Sequence, residues 1–388
     1  MKIVAAGGGS GGHVTPVLAV LAELKKHDPD LQAYFITDYG FGAQAHDIIK
    51  HSPFPIRLKK IRAGKLRRYH KVGIFRQLLD VPTILKNIRD IFFVGIGYAQ
   101  SLLYLKKIRP DAVFTKGGFV CLPVGLAAKT LGIPLVIHDS DTHPGLTNKI
   151  LAKYAAVIGT GAPTKYYSYP AGRTHYVGIP VGNKFKPLTA KQQQRCKGDI
   201  GLHDTKKPLL VVTGGGLGAR NLNRAVMAIA PKLLDKVAIL HITGQANYQE
   251  VLASAPEHVD YLIKPFLAEG MFAAFGGADV VLTRAGATTL IELAAMSKPV
   301  IIVPSPYLSS GHQLKNAAMY QEANAAVVLQ EEDIILDQRV LLKALVDVFA
   351  NTAKRRSLAK NLHSFAKPDA ALDMAALIAE AAYTKKAA

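Results

Sequence analysis

The sequence is poor in cysteine and tryptophan and has no long apolar run. Its 388 residues include two cysteines, Cys121 and Cys196, and no tryptophan. The two cysteines form neither a CxxC motif nor a Cys/His ligand spacing, which argues against a disulfide framework or a structural zinc site. No segment has eighteen unbroken apolar residues, so no membrane-spanning helix is expected. Because Met1 leads at once into an apolar, strand-like run, we also expect no signal peptide.

Acidic residues are few as well. The chain has 48 Lys and Arg against 28 Asp and Glu, a formal net charge of +20, and fourteen basic residues with only two aspartates lie between Arg57 and Arg109. Apolar residues interleave with this charge at Ile74-Phe75, Leu78-Leu79, residues 91–94 and residues 102–104. This pattern is typical of a helix on an anionic membrane surface, and a solvated face over a core is the plainer alternative. No familiar nucleic-acid-binding module is present, so we expect no nucleic acid partner.

Two glycine-rich turns stand about two hundred residues apart. Residues 7–13 read GGGSGGH and follow the apolar run Ile3–Ala6, whereas residues 214–220 read GGGLGAR and follow residues 209–212. A buried strand, a turn that only glycine can make and a helix start together present backbone N–H groups to an anion. The two turns predict two similar α/β domains with a cleft between them.

Strand-like and helical stretches alternate in both halves, as in parallel sheets covered by helices. The predicted strands are residues 3–6, 33–37, 112–115, 135–138, 156–159 and 176–182, then 209–213, 238–243, 261–264, 280–283, 300–303 and 326–329. We therefore predict an N-terminal domain over residues 1–178 and a C-terminal domain over residues 179–365. A terminal helix over residues 366–388 is expected to pack back on the first domain.

The first turn taken alone leaves two functions open. Gly7, Gly9 and Gly12 fit G-x-G-x-x-G, and Asp38 follows at the end of the next strand, as in dinucleotide-binding domains. Nicotinamide binding and sugar transfer are nearly equal alternatives on this evidence. His13 stands at the expected helix N-terminus, where the dipole favours a neutral imidazole that can accept a proton, or else it only caps or packs the helix.

Further polar residues follow other predicted strands. Residues 116–119 read KGGF and form either a ligand-binding turn or a plain tight turn. Residues 138–148 read HDSDTHPGLTN, where Asp139 and Asp141 could orient hydroxyls or act as a base, and their spacing resembles no standard metal site. In the second half, residues 283–292 read TRAGATTLIE, which predicts a helix N-terminus for a diphosphate and a carboxylate, Glu292, for ribose hydroxyls.

Together these segments resemble the MurG family of bacterial glycosyltransferases. The resemblance covers nearly the whole chain in order, with GGGSGGH, KGGF, HDSDTHPGLTNK, YVGIPVG, TGGGLGARNLN, TRAGATTLIELAA and GHQLKNA each similar to a family segment. It implies the α/β GT-B fold, with two Rossmann-like domains. It also implies an inverting transferase that moves N-acetylglucosamine from UDP-N-acetylglucosamine to the C4 hydroxyl of lipid I, giving lipid II for peptidoglycan.

The resemblance also implies residue roles. His13 would be the general base or position the acceptor, and Asp141 would lie in the sugar pocket and stand as a second catalytic candidate. The remaining substrate-binding candidates are Ser10, Gly11, Gly12, Asn148, Gly216, Leu267, Ala287, Thr288, Thr289, Leu290, Ile291, Glu292 and Gln313. Helix N-termini and backbone amides would stabilise the leaving UDP, so neither metal nor other cofactor is expected. The basic, apolar surface around residues 62–109 would hold the enzyme peripherally on the cytoplasmic face of the membrane.

Four positions depart from the family pattern. Asp141 stands where the family usually has asparagine, and Gly182 where it usually has arginine, with Lys184 as a nearby substitute cation. Gly216 and Leu217 replace a serine and a glutamine in the second turn. These changes bear on which donor the protein binds and on its affinity for that donor.

Three other functions are weighed against this one. A related lipid glycosyltransferase, such as a galactosyl-diacylglycerol synthase, would differ in donor sugar or acceptor. A nicotinamide-dependent oxidoreductase would leave the second glycine turn and residues 284–292 unexplained. A non-catalytic membrane or nucleic-acid adaptor driven by the +20 charge would tolerate loss of His13 and Glu292.

Overall fold

The structure of the protein is a computed structural model that describes residues 1–8, 12, 14–65, 81–215, 218–267, 270–307 and 311–387. The chain forms two compact units. The first contains Met1–Gly182 together with Lys367–Ala388, and the second contains Asn183–Ala366.

The strands of the described residues form one parallel sheet in each unit. They are β1 (Lys2–Ala6), β2 (Gln32–Asp38), β3 (Ile56–Ile61), β4 (Ala112–Thr115), β5 (Leu135–Asp139), β6 (Val157–Thr160), β7 (Thr174–Tyr176), β8 (Leu209–Thr213), β9 (Ala238–Ile242), β10 (Tyr261–Lys264), β11 (Val280–Thr283), β12 (Val300–Ile302) and β13 (Val327–Val328). The strand order is β3-β2-β1-β4-β5-β6-β7 in the first unit and β10-β9-β8-β11-β12-β13 in the second.

Helices alternate with these strands. The described helices are α1 (Thr15–His27), α2 (Gly42–Ile49), α3 (Val81–Ile108), α4 (Cys121–Thr130), α5 (Leu146–Leu151), α6 (Ala190–Asp199), α7 (Arg220–Leu233), α8 (Tyr248–Ser254), α9 (Met271–Gly277), α10 (Ala287–Ala295), α11 (His312–Glu322), α12 (Glu331–Leu336), α13 (Gln338–Ala350), α14 (Thr352–His363) and α15 (Ala370–Ala387). Of the helices described, none is long and apolar enough to cross a membrane.

The central strands are apolar on both faces because helices cover both sides of each sheet. In the first unit, Ile3, Ala5 and Phe35 point into one buried cluster, and Val4 and Ile36 point into another. The terminal helix α15 adds to the first of these clusters, where its Met374 and Ile378 are fully buried together with residues of α1.

Two strands differ from the sequence prediction. Strand β3 was not predicted, because Arg57, Lys59 and Lys60 interrupt its apolar residues, and it lies at the edge of the sheet with these side chains exposed. The strand predicted over residues 176–182 is wrong, since β7 spans Thr174–Tyr176 and the backbone turns at Gly178, whose φ is +84°.

Helix α3 carries much of the basic and apolar sequence between β3 and β4. Gly64 and Gly97 let the segment after β3 approach the helix, because a Cβ on Gly97 would lie 2.0 Å from the carbonyl oxygen of Arg62. The Arg62 backbone N–H also donates to Gln100 Oε1 at 2.8 Å. Ile74-Phe75 and Leu78-Leu79 lie outside the described residues.

Candidate functional site

The polar motifs lie at the two points where strand order reverses. In the first unit β1 lies beside β4, and in the second unit β8 lies beside β11. The loops after such neighbouring strands run to opposite faces of a parallel sheet and leave a crevice at the carboxyl edge, which is where α/β proteins bind ligands. Each unit therefore has one candidate ligand edge.

The first glycine turn follows β1. Ser10, Gly11 and His13 lie outside the described residues, and Gly12 is half-buried. A Cβ on Gly8 would lie 2.8 Å from Asp38 Oδ1, and Asp38 Oδ2 accepts a hydrogen bond from the Phe41 N–H at 3.1 Å. Asp38 thus caps the turn before α2 and packs closely against Gly8.

The KGGF turn follows β4. Gly117 and Gly118 have φ values of +89° and +90°, which glycine adopts without strain. The Lys116 side chain turns inward, is 2% exposed and donates to Ser140 Oγ. Burial lowers the pKa of Lys116 to about 8, whereas the charges of Asp141 and Asp139 raise it.

A hydrogen-bonded chain continues from Ser140. Ser140 Oγ lies 3.3 Å from His138 Nδ1, and His138 Nε2 lies 2.8 Å from the Gly178 carbonyl oxygen. Because a carbonyl only accepts, Nε2 carries the proton and Nδ1 accepts from the serine. Burial and the nearby Lys116 charge lower the pKa of His138 to about 3, so the imidazole is neutral.

Asp139 is the buried carboxyl group of this edge. It is 4% exposed, and Tyr169 Oη donates to its Oδ2 at 2.7 Å. Burial raises the pKa of Asp139 to about 7, the Tyr169 hydrogen bond lowers it, and the Asp141 charge raises it further. A carboxyl group that titrates near neutrality in a ligand edge is a common feature of functional sites.

Asp141 and Asn148 lie at the same edge. Asp141 is half-buried, and its carbonyl oxygen accepts from Tyr167 Oη at 2.9 Å. Asn148 is 3% exposed and donates from Nδ2 to the His138 carbonyl oxygen at 3.2 Å, while its Oδ1 is buried without a hydrogen-bond partner. An unsatisfied buried acceptor of this kind is unusual in folded proteins and needs an explanation.

The second glycine turn follows β8. A Cβ on Gly214 would lie 2.5 Å from the Ala219 nitrogen, and a Cβ on Gly218 would lie 2.5 Å from the Thr243 carbonyl oxygen. Gly215 has a φ of +79° and faces open space. Gly216 and Leu217 lie outside the described residues. Glycine is thus required here by close backbone packing.

A buried polar chain that the sequence did not reveal supports this turn. Asn223 Nδ2 donates to the Thr243 carbonyl oxygen at 2.9 Å, and Asn223 Oδ1 lies 3.0 Å from His241 Nε2. His241 Nδ1 lies 2.9 Å from Tyr261 Oη. Since an amide oxygen only accepts, His241 donates from Nε2 and accepts from the tyrosine, and burial lowers its pKa to about 3.

Arg284 is a structural brace after β11. Its guanidinium donates to the Val303 carbonyl oxygen at 3.0 Å and to Glu331 Oε1 at 2.5 Å, and both ionic side chains are buried. Glu331 Oε1 also accepts from Asn221 Nδ2 at 3.1 Å. This network joins the loop before α10 to the starts of α7 and α12. Of its members, only Arg284 belongs to a motif that the sequence analysis identified.

The N-terminus of α10 is the candidate anion-binding feature of the second unit. Gly286 precedes the helix without a side-chain cap, so the first-turn N–H groups of Ala287, Thr288 and Thr289 point away from the helix body. Leu290 and Ile291 are buried and anchor the helix in the core. The helix start therefore combines rigid anchoring with the donor geometry and dipole that favour a phosphate.

Glu292 lies one turn into α10 and is partly buried. Burial raises the pKa of Glu292 to about 8, and the positive charge of Lys184 acts in the opposite direction. The Lys184 ammonium in turn lies 5.7 Å from the centroids of the Phe185 and Phe272 rings. The charge of a lysine, Lys184, thus acts on the Glu292 carboxyl group.

Two further candidates border this edge. Gln313 is 8% exposed, and its Oε1 accepts from the Ser305 backbone N–H at 2.9 Å, which leaves the amide NH₂ as a donor. Leu267 is half-buried, and its Cδ2 lies 3.4 Å from the position that a Cβ on Gly270 would take. Asn316 Nδ2 donates to the Ala285 carbonyl oxygen at 3.1 Å and so fixes the turn before α10.

Two Rossmann-like units, each with a glycine turn at its switch point, define a glycosyltransferase of the GT-B class. Residues 3–160 match the glycosyltransferase family 28 N-terminal domain, and residues 209–374 match the glycosyltransferase family 28 C-terminal domain. The chain belongs to this family and, within it, to the MurG family.

Relatives of known function are similar over nearly their whole length. The UDP-N-acetylglucosamine–N-acetylmuramyl-(pentapeptide) pyrophosphoryl-undecaprenol N-acetylglucosamine transferase of Bacillus pumilus is 33% identical over 96% of both chains. The enzyme of the same name from Lachnospira eligens is 36% identical over 90% of this chain and 91% of its own. The crystal structure of Acinetobacter baumannii MurG is 26% identical, with a TM-score of 0.65 over 98% of this chain and 99% of that one.

These findings confirm the predicted family, the α/β GT-B fold and the enzyme class. The protein is a glycosyltransferase of peptidoglycan synthesis. The roles of individual residues remain predictions.

Proposed function

We propose that this enzyme transfers N-acetylglucosamine from UDP-N-acetylglucosamine to the C4 hydroxyl of the N-acetylmuramyl residue of lipid I, with inversion at the anomeric carbon. The observation that carries the proposal is the pair of switch-point edges, one built around a helix N-terminus and the other around carboxyl groups. A nucleotide diphosphate needs the first kind of edge, and hydroxyl groups of a sugar need the second.

The second unit binds the donor. The N–H groups of Ala287, Thr288 and Thr289 hold the diphosphate, and the glycine turn with Gly216 adds backbone donors. Glu292 accepts hydrogen bonds from the ribose hydroxyls, while Leu267 and Gln313 border the nucleotide. When the sugar is transferred, negative charge grows on the UDP, and the preorganised N–H groups of the helix start stabilise it more strongly than they stabilise the bound donor.

The first unit binds the acceptor and the transferred sugar. Ser10, Gly11 and Gly12 meet the sugar or diphosphate, Asp141 binds sugar hydroxyls, and Asn148 presents its unpaired Oδ1 to the same edge. His13 accepts the proton of the C4 hydroxyl as that oxygen attacks the anomeric carbon, with Asp141 as the competing base. His13→Ala should mainly lower kcat, and equal losses of donor affinity in His13→Ala and Glu292→Ala would contradict this division.

The membrane contact is assigned to α3. Exposed apolar side chains recur along one face of this helix, at Leu85, Ile88, Phe92, Ile96 and Leu103, and both Phe92 and Leu103 are 68% exposed. Arg62 and Arg89 flank this stripe and lie 5.4 Å from the Phe93 ring. An exposed apolar stripe beside cations suits an anionic lipid surface, and we place the enzyme peripherally on the cytoplasmic face, where the polyprenyl acceptor is reached.

The function is tested by UDP release in detergent, without added metal, with and without a lipid I analogue. We expect release from UDP-N-acetylglucosamine that requires the analogue, and much slower release from UDP-galactose or with diacylglycerol as acceptor. Release with UDP-galactose and diacylglycerol instead would identify a related lipid glycosyltransferase. Binding of NADH with no release of UDP would contradict the proposal.

A further inference from the structure

Lys116 is an unexplained buried cation at the candidate acceptor edge. Its side chain is 2% exposed, although lysine is almost never fully buried unless its charge is paired. Removing an ammonium group from water costs free energy that only close partners offset. A lysine that served only to make the KGGF turn would have no reason to point inward.

The groups that interact with Lys116 lie at the end of the neighbouring strand β5 and in the loop after it. Its ammonium donates to Ser140 Oγ, and among the surrounding charges Asp141 stabilises the ammonium most, followed by Asp139. His138 also belongs to this motif, and it is neutral because burial and Lys116 lower its pKa to about 3.

The hydrogen-bond chain fixes the direction of this contact. His138 donates to the Gly178 carbonyl oxygen and so must accept from Ser140, and Ser140 must therefore accept from Lys116. Each member has one assigned role, which holds the loop between Asp139 and Asp141 in one conformation.

We propose that Lys116 is a positioning residue for sugar transfer: its buried ammonium is the counter-ion of the two carboxyl groups Asp139 and Asp141, and its bond to Ser140 fixes the loop that carries both. The proposal rests on the function above, in which Asp141 binds sugar hydroxyls. Because Asp141 and Asp139 lie at the same edge, this edge holds two carboxyl groups and needs a cation more than a single carboxyl group would.

The physical reason is repulsion between the two carboxyl groups. Asp141 raises the pKa of Asp139, which burial already raises to about 7. Two nearby carboxylates in a poorly hydrated place share a proton unless a cation compensates the second charge. The Lys116 charge lowers the pKa of Asp139, so without Lys116 the Asp139 carboxyl group would hold its proton to higher pH.

The electrostatic coupling is tested first, without reference to activity. The full chain is labelled with ¹⁵N at lysine Nζ, and the titration of Lys116 is followed by NMR in the wild type, Asp141→Asn and Asp139→Asn. We expect Asp141→Asn to lower the Lys116 pKa by about one unit, and Asp139→Asn to lower it less. An unchanged Lys116 titration in Asp141→Asn would overturn the proposal.

The kinetic test is a double-mutant cycle of Lys116→Met and Asp141→Asn. Lys116→Met should shift the acid limb of the kcat/KM profile upward by about one pH unit and lower kcat/KM about tenfold at neutral pH. In the Asp141→Asn background the same change should have little further effect, since the charge that needed compensation is gone. Losses that simply add, with an unshifted pH profile, would indicate a purely structural lysine and overturn the proposal.

Two variants complete the test. Ser140→Ala keeps the lysine charge but removes its hydrogen bond, so we expect a lower kcat without the shift of the acid limb. Lys153→Met removes an exposed lysine of the same unit and should behave as wild type. If Lys116→Met fails to fold, the NMR titrations of Lys116 and the kinetics of Ser140→Ala still test the proposed role of Lys116. A wild-type enzyme that transfers no sugar would defeat the proposed function, whereas normal transfer with additive losses would defeat only the role of Lys116.

Discussion

At the scale of residues, each of the two candidate ligand edges has its own carboxyl group that is shielded from water. Burial raises the pKa of Asp139 to about 7 in the first unit and the pKa of Glu292 to about 8 in the second. An ionised carboxyl group that is buried without a full ion pair destabilises the folded state. Stability of the fold alone therefore does not explain why either carboxyl group is present. Both groups are poised to change protonation when a ligand with hydroxyl groups binds.

Glu292 should make donor binding depend on pH. The free carboxyl group keeps its proton below about pH 8, and ribose hydroxyls donate to the ionised form, so binding lowers its pKa. Affinity for UDP-N-acetylglucosamine should therefore rise between about pH 6.5 and 8, by up to about tenfold per unit, and level off above. Isothermal titration calorimetry in buffers of different ionisation enthalpy should also detect proton release on binding.

The matching variants separate this effect from general charge changes. Glu292→Gln should weaken donor binding about tenfold at pH 8 and abolish its pH dependence. Glu322→Gln removes an exposed carboxylate at the end of α11 and should change neither. A pH dependence that persists in Glu292→Gln would assign the titration to another group.

At the scale of elements, the strand ends determine where chemistry is possible. Strands β1, β4, β5, β8 and β11 were predicted in nearly their observed positions, because buried parallel strands are continuous apolar runs that end in glycine or polar residues. Strand β3 was missed because an edge strand tolerates the lysines and arginine that disguise it.

The polar networks behind the site could not be predicted in the same way. Arg284 and Glu331 are 47 residues apart and Asn223 and His241 are 18 apart, so no local spacing relates them. Their meeting depends on strand order and helix packing. Sequence motifs therefore indicated the candidate site residues, whereas the residues that hold them in place required the fold.

The second glycine turn gives a prediction at this scale. Gly218 has a φ of +76°, and an added Cβ would lie 2.5 Å from the Thr243 carbonyl oxygen. Gly218→Ala should destabilise the second unit by about 1–3 kcal/mol and weaken UDP binding at least about tenfold, because the turn must move away from β9. Thermal denaturation and calorimetric titration measure the two effects.

Gly201 provides the matched control. It has a comparable φ of +86° but open space around its missing Cβ. Gly201→Ala should cost about 1 kcal/mol from backbone strain alone and leave UDP binding unchanged. Equal loss of UDP binding in both variants would show that the Gly218 contact with the backbone after β9 does not shape the donor site.

At the scale of the whole molecule, one sheet topology occurs twice, with different side chains at the two candidate ligand edges. Both units place a glycine turn beside a second motif at the point where strand order reverses. The edge of the first unit carries Lys116 with Asp139 and Asp141, and the edge of the second carries the uncapped helix start with Glu292. The long helix α3 adds an apolar, basic surface to the first unit alone.

The α3 surface should govern membrane binding. The double substitution Phe92→Ser and Leu103→Ser should reduce co-sedimentation with vesicles of anionic and zwitterionic lipid about tenfold or more, because two large exposed side chains no longer enter the bilayer. Transfer to a short, water-soluble lipid I analogue should stay near wild type. Leu252→Ser removes an exposed leucine of the second unit and should leave vesicle binding unchanged.

Salt separates the charged and apolar parts of this contact. Raising ionic strength should weaken wild-type binding, since the Debye length falls to about 3 Å at 1 M salt. Vesicle binding by the double variant that equals wild type would mean that another surface reaches the membrane.

The central claim is an inverting transfer of N-acetylglucosamine to a lipid-linked muramyl acceptor. It is tested most directly by reacting UDP-N-acetylglucosamine labelled with ¹³C in the sugar with a lipid I analogue and determining the product structure by mass spectrometry and NMR. We expect one added N-acetylhexosamine, joined through a β linkage to the C4 oxygen of the muramyl residue. An α linkage, a different attachment point, or labelled free sugar with no disaccharide would contradict the account.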